Sequence, residues 1–164
     1  METREQSSTE KIVAFLAEIG IEVIRTELHQ QTFMPGVMAD RGAILIDESR
    51  LLYPGDLLHE AGHLAVIPPE ERKRVQGNMG KDRGEEMMAI AWSYAASVHL
   101  ALEPSVVFHD GGYRGWSKAF IENFTNGRYV GVPMLQWIGL TADNKRAKEM
   151  GVEPYPHMIK WLLD

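Results

Sequence analysis

The stretch Leu57-Leu58-His59-Glu60-Ala61-Gly62-His63-Leu64-Ala65-Val66 constrains this chain more than any other. Residues four apart on an α-helix lie one above the other on the same face, so His59 and His63 can direct their imidazoles at one point, where a single divalent cation fits. Glu60 follows His59 by about 100° of helical rotation. Its carboxylate is thereby set beside such a cation and not among its ligands, where it can take a proton from water. Leu57, Ala61, Leu64 and Ala65 form an apolar opposite side, so the helix is expected to have one chemical face and one buried face. Tyr53-Pro54-Gly55-Asp56 supplies a start signal and Pro68-Pro69 a stop. Two ordinary histidines on an amphipathic helix would spell the same pattern, so the chemical reading needs a third donor from elsewhere.

The chain has no cysteine, which removes disulfides, thiolate zinc sites and a cysteine nucleophile. Any cation must then be held by imidazole and carboxylate, a set that suits zinc. A net charge of −6, with no aromatic and basic patch to offset it, argues against nucleic acid as a partner. The length of 164 residues, 45% hydrophobic and 24% charged, suits one soluble domain over 1–164 with a sizeable core. Met1-Glu2-Thr3-Arg4-Glu5-Gln6-Ser7-Ser8 lacks the basic and then apolar pattern of an export signal, and no apolar run approaches membrane-spanning length. A cytoplasmic location without a membrane partner is the expectation.

Residues 9–19 carry a helical apolar stripe at Ile12, Val13, Phe15, Leu16 and Ile19, with Thr9 as cap and Gly20 as terminator. The β-branched run 21–28 predicts a strand, 32–38 a second one at an edge because of Pro35 and Gly36, and 42–47 a third. An extended substrate could pair with the edge at 33–37; an ordinary blunted edge is the plain alternative. The connection 68–83 is polar, with a solvated turn at 70–74, and is either a lid or simply a loop.

A second long helix is expected over 85–102. It is rich in alanine and nearly free of charge after its first turn, hence largely buried. Asp82-Arg83-Gly84-Glu85 has the form of a capping box, which accounts for Glu85. Glu86 shares its face with Ser93 and Ser97, and this polar stripe makes Glu86 the third metal ligand, with Ser93 as a hydrogen-bond partner orienting a ligand imidazole. Glu85 as the ligand, or both acids merely solvating the helix start, are the alternatives. His99 reads as a satisfied core histidine, and Met87, Met88 and Trp92 as core filling.

Beyond Pro104, an apolar segment enters the glycine-rich turn His109-Asp110-Gly111-Gly112-Tyr113-Arg114-Gly115. Helices are expected over 116–124, 132–138 and 141–150, the last capped by Thr141, and then a final turn or helix over 158–163. His109, Tyr113, Arg114, Arg128 and Tyr129 are groups that can stabilise an oxyanion, or ordinary loop residues.

The run Ile44-Leu45-Ile46-Asp47, then Leu58-His59-Glu60-Ala61-Gly62-His63-Leu64, then Glu86-Met87-Met88-Ala89-Ile90-Ala91 resembles the ImmA/IrrE-type bacterial metallopeptidase domain, a compact gluzincin, over about residues 32–98. The resemblance implies an α+β zincin-like fold, a small and mostly antiparallel sheet packed against both long helices, with 104–164 as a helical extension. It also implies zinc held by His59, His63 and Glu86, with Glu60 as general base. Members of that group often carry Asn or Asp one turn after the ligand Glu to support a histidine, whereas this chain has Ile90. The expected function is a zinc-dependent peptidase acting on a polypeptide. The rivals are a dormant metal-binding protein that regulates another protein, and a hydrolase of a small amide or ester.

Overall fold

The computed structural model describes residues 7–77 and 82–164. Helix α1, Ser8–Ile19, is capped two residues before the expected Thr9. Ser7 is the N-cap: its hydroxyl accepts from the Glu10 N–H at 3.2 Å and the Glu10 carboxylate accepts from the Ser7 N–H at 3.3 Å, a reciprocal pair that Thr9 has no partner to make. Ile12, Phe15 and Leu16 form its buried stripe, and the helix ends at Gly20.

Three short strands follow, β1 Val23–Arg25, β2 Val37–Asp40 and β3 Ala43–Ile46, in the spatial order β1-β3-β2. The β2–β3 pair is an antiparallel hairpin closed by Arg41 and Gly42, both at positive φ (50° and 87°), the geometry of a tight two-residue turn. β1 pairs with β3 in parallel, Val23 opposite Ile44. The sheet is therefore mixed, not mostly antiparallel. Periodicity within a strand does not encode its direction, which depends here on the long passage of residues 26–36 between β1 and β2. That passage is held by Asp47, whose carboxylate accepts from the Leu28 N–H at 3.0 Å and from the Ser49 N–H and hydroxyl at 3.1 and 2.6 Å.

The expected edge strand lies further along the chain than 33–37. Phe33 sits outside the sheet, 82% exposed, and Met34 and Val37 flank a turn. The outer edge of β2 is bonded to residues 75–77, through Arg41 N–H to the Val75 carbonyl at 2.7 Å and Gly77 N–H to the Ala39 carbonyl at 2.9 Å. Of the 68–83 connection, Pro69–Arg72 forms the short exposed helix α3, as expected of the charged turn, and 78–81 lie outside the described residues.

Helix α2, Gly55–Ala65, carries the histidine motif and is buried at every position. It packs on β2 and β3 with one side and on α4, Arg83–His99, with another, and α4 packs chiefly on α2 among these elements. The order sheet, α2, α4 differs from the expectation in two ways: the chemical face of α2 is buried as well, and α4 packs chiefly on α2 where both long helices were expected against the sheet. Gly62 lets the helices come this close, because a Cβ there would lie 2.9 Å from the Ala89 carbonyl oxygen.

The last third closes over these two helices. Helices α5 Pro104–Val107, α6 Ser117–Thr125, α7 Val132–Trp137 and α8 Asn144–Met150 are joined by a 3-10 turn at Tyr113–Gly115 and other tight turns. Asp143, not Thr141, caps α8, accepting from the Arg146 N–H at 2.8 Å; Thr141 is buried and donates to the His157 carbonyl at 2.7 Å. Residues 158–163 form no helix. They return to the core, where the Trp161 carbonyl accepts from Trp92 Nε1–H at 2.9 Å and Leu163 N–H donates to the Ala65 carbonyl at 2.8 Å. Arg72 ties the same region, donating to the Leu64 carbonyl at 2.8 Å and to the Leu163 carbonyl. One buried cluster runs from Ile12 to Met158, so 104–164 is structurally continuous with the expected 32–98 core. Trp92 is fully buried in it as expected, whereas His99 is exposed, its ring 5.4 Å from that of Phe15 and 5.3 Å from that of Trp161. No described helix is long and apolar enough to cross a membrane.

Candidate metal centre

His59 and His63 stand one turn apart on α2 with ring centroids 5.0 Å apart at 78°. Their Nε2 atoms point at one carboxylate: His59 Nε2 is 3.1 Å from Glu86 Oε1 and His63 Nε2 is 2.7 Å from Glu86 Oε2. Donor atoms of His59, His63 and Glu86 lie within 4.8 Å of one another, the one such group of three among the described residues. Glu86 is thus the carboxylate that the fold brings to both Nε2 atoms.

Glu85 turns the other way. Its carboxylate meets Nδ1 of His63 at 2.9 Å. Asp82 caps α4 as expected, accepting from the Glu85 N–H at 2.9 Å, but only half of the capping box forms because the Glu85 side chain is at His63. Ile90 is buried in the core, and the carboxylate that meets His63 Nδ1 comes from the residue before Glu86 and not from the turn after it. Ser93, expected in that role, is buried and donates to the Ile90 carbonyl of its own helix at 2.9 Å, the local bond that serine readily makes.

The outer nitrogen of the other histidine has a different partner. Tyr113 Oη lies 3.3 Å from Nδ1 of His59, with the two rings perpendicular. Tyr113 thus stands on the Nδ1 side of His59, away from the side where Nε2 meets Glu86. His109, also expected near an oxyanion, is stacked on Tyr53 with centroids 3.7 Å apart, and its Nε2 meets Asp56 Oδ1 at 2.7 Å. Arg128 is exposed and bonded to Asn123 at 3.0 Å, and Tyr129 packs on Tyr155 and Phe124, so neither is aimed at the histidines. The Arg114 side chain lies outside the described residues. Asp56 and Tyr53 were not expected near the site, and Glu85 was expected there as a cap or an alternative ligand but not as the partner of His63 Nδ1. Asp56 was legible in principle, since it sits one turn before Glu60 on the same helix.

The charges around the cluster are unbalanced toward the negative. Burial pushes the Glu60 carboxyl up to about 7; His63 opposes this, and the carboxylates of Glu86, Asp56 and Glu85 add to it. Burial works against a charged His63, but its hydrogen bonds to Glu85 and Glu86 and the charges of Glu86 and Glu60 outweigh this and raise it to about 9. For Glu86, burial is outweighed by hydrogen bonds from His59 and His63 and by their charge, which hold it well below the usual carboxylate range. Burial raises Asp56, against the bond and charge of His109. Four carboxylates gathered around two imidazoles, with both Nε2 atoms converging and both Nδ1 atoms held from behind, fit a divalent cation.

The chain matches no protein-family model, no curated protein and no solved structure.

These shifts have a consequence for stability. Glu60, raised from 4.5 to about 7, contributes stability that is complete below pH 4.5 and lost as pH rises through 7. His63, raised from 6.5 to about 9, loses its contribution as pH rises from 6.5 through 9. Glu86 runs the other way, losing its contribution as pH falls below 4.5. The metal-free protein is thus expected to melt at progressively lower temperature between pH 5 and 9, and saturating Zn2+, which competes with the proton on His63, to reverse the trend. Differential scanning calorimetry of chelator-treated protein checks this; a melting temperature that climbs across that range without metal contradicts the coupling.

Proposed function

We propose that this chain is a zinc-dependent hydrolase that cleaves a peptide bond, with His59, His63 and Glu86 as the metal ligands and Glu60 as general base. The observation that carries the reading is the Glu86 carboxylate shared between two Nε2 atoms, with the Glu60 carboxyl buried beside it and uncommitted to any hydrogen bond among the described residues. Zinc held there would polarise a carbonyl and acidify water toward a pKa of about 7. Glu60 is poised for the matching proton transfer: its affinity for a proton near neutrality lets it accept one from the attacking water and release it to the leaving nitrogen. A dication nearby would draw Glu60 down from that value, favouring the ionised base at neutral pH. Glu85 and Tyr113 orient the imidazoles, and the buried surroundings keep these charges poorly screened.

The peptide as substrate rests on the resemblance of the motif. A second reading, hydrolysis of a compact amide or ester, is favoured by two observations. His63 is only 2% exposed and Glu86, at 32%, is the most open of the three ligands, so access is narrow. The outer edge of β2 is already bonded to residues 75–77 at Ala39 and Arg41, which leaves little open ladder for an extended chain.

Incubating the zinc-loaded full chain with a proteome-derived peptide mixture, and separately with a panel of small acyl amides and esters, separates the readings. New peptide termini, abolished by a chelator and restored by Zn2+, are the expected result. Turnover of the small compounds alone transfers the proposal to the second reading. No turnover in either, with zinc bound, overturns the hydrolase and leaves a metal-binding protein.

A further inference from the structure

Between α5 and α6 the chain makes a tight loop, His109-Asp110-Gly111-Gly112-Tyr113, pressed against the start of α2. It is fastened at one end by the 2.7 Å bond from His109 to Asp56, in the first turn of the helix that carries the histidines. The His109 ring is stacked on Tyr53 at 6° and its Nδ1 is buried without a hydrogen-bond partner among the described residues. Gly111 follows Tyr53 so closely that a Cβ there would lie 2.2 Å from its hydroxyl. At the other end Tyr113 adopts φ 58°, a left-handed conformation that bulky residues rarely take, and its ring is packed edge-on against Phe108 and Phe120. A strained aromatic residue held by its surroundings points to a function for the conformation. Here the conformation delivers one oxygen, Tyr113 Oη, to Nδ1 of His59.

We propose that this strap is the positioning element of His59: anchored by Asp56–His109 and by Tyr53, it holds the Tyr113 oxygen behind Nδ1 so that Nε2 stays turned toward Glu86, and so sets the affinity of the centre for a divalent cation. The proposal rests on the reading of His59, His63 and Glu86 as ligands. A neutral imidazole that gives Nε2 to a cation carries its proton on Nδ1 and needs an acceptor there. The Tyr113 oxygen accepts that proton's hydrogen bond for His59, and Glu85 does so for His63. The two ligands are thus supported unequally, one by a neutral phenol whose ionisation burial strongly disfavours and one by a carboxylate. Tyr113 and His109 are positioning residues and touch no reacting atom.

The experiment is Zn2+ binding to the full chain by competition with a chelating dye, in the wild type, Tyr113→Phe, His109→Phe and the double variant, together with 15N spectra of the histidine side chains. His109→Phe keeps a flat ring on Tyr53 but loses the bond to Asp56. Tyr113→Phe is expected to weaken Zn2+ binding by about 10–100-fold. It is also expected to move the His59 ring-nitrogen signals and leave those of His63 in place. His109→Phe should weaken binding in the same way, and the double variant should be little weaker than Tyr113→Phe alone, because both act through one oxygen. Wild-type affinity in Tyr113→Phe overturns the proposal, as does an equal disturbance of His59 and His63, which marks general loosening. Fully multiplicative losses in the double variant overturn the anchoring by His109. A wild-type chain that takes up no Zn2+ fails at the earlier step and overturns the metal reading itself.

Discussion

Glu60→Gln is expected to lower kcat by about 10²–10⁴-fold, the usual contribution of a positioned general base, while leaving the zinc content of the purified protein unchanged. The amide is close to the carboxyl in shape, so the packing around this buried position is kept. Glu60 also makes no hydrogen bond among the described residues that the substitution would break, and Glu86, not Glu60, faces the two Nε2 atoms. What is lost is the ability to take up a proton near neutrality, the property that burial confers on this carboxyl by raising it to about 7. Metal analysis and steady-state kinetics on the substrate found in the screen check the two halves together. Full activity in Glu60→Gln would remove Glu60 as the base; loss of zinc with activity would show that the carboxylate holds the ion.

The second large effect separates the two adjacent acids. Glu86→Ala removes the one carboxylate among the described residues that faces both Nε2 atoms, and two imidazoles alone are an incomplete set for zinc, so stoichiometric zinc should be lost on purification. Glu85→Ala removes the partner of His63 Nδ1 and should cost about 10–100-fold in affinity with stoichiometric binding still attainable, as for losses behind a ligand. Titration of both variants with Zn2+ reads the order directly. If Glu85→Ala proved the more damaging, the roles given to the two residues would have to be exchanged.

Helix α2 is buried on all sides. It offers two imidazoles to one point, and α4 lies on that face, its first-turn acids supplying their polar partners. Burying His63 and Glu60 is tolerable because each charged or polar atom is matched by another or shifts its proton affinity. The close approach at Gly62 is the local condition for this arrangement, since a side chain there would part the two helices that bring the donors together.

The sequence alone determined what spacing along one helix can determine. His59 and His63 share a face because four residues make about one turn, and Glu86 follows the capped start of a second apolar helix in the same way. The stripe of α1, the presence of three strands and the absence of thiolate chemistry were legible for the same reason: each depends on neighbours in the chain or on composition. Tertiary structure decided the rest. The parallel pairing of β1 with β3, the covering of the β2 edge by 75–77, the choice of Glu85 over Ser93 at His63, and the approach of Tyr113, His109 and Asp56 all join residues far apart in sequence. No local pattern records such meetings, because they depend on how the last third of the chain packs back over α2 and α4.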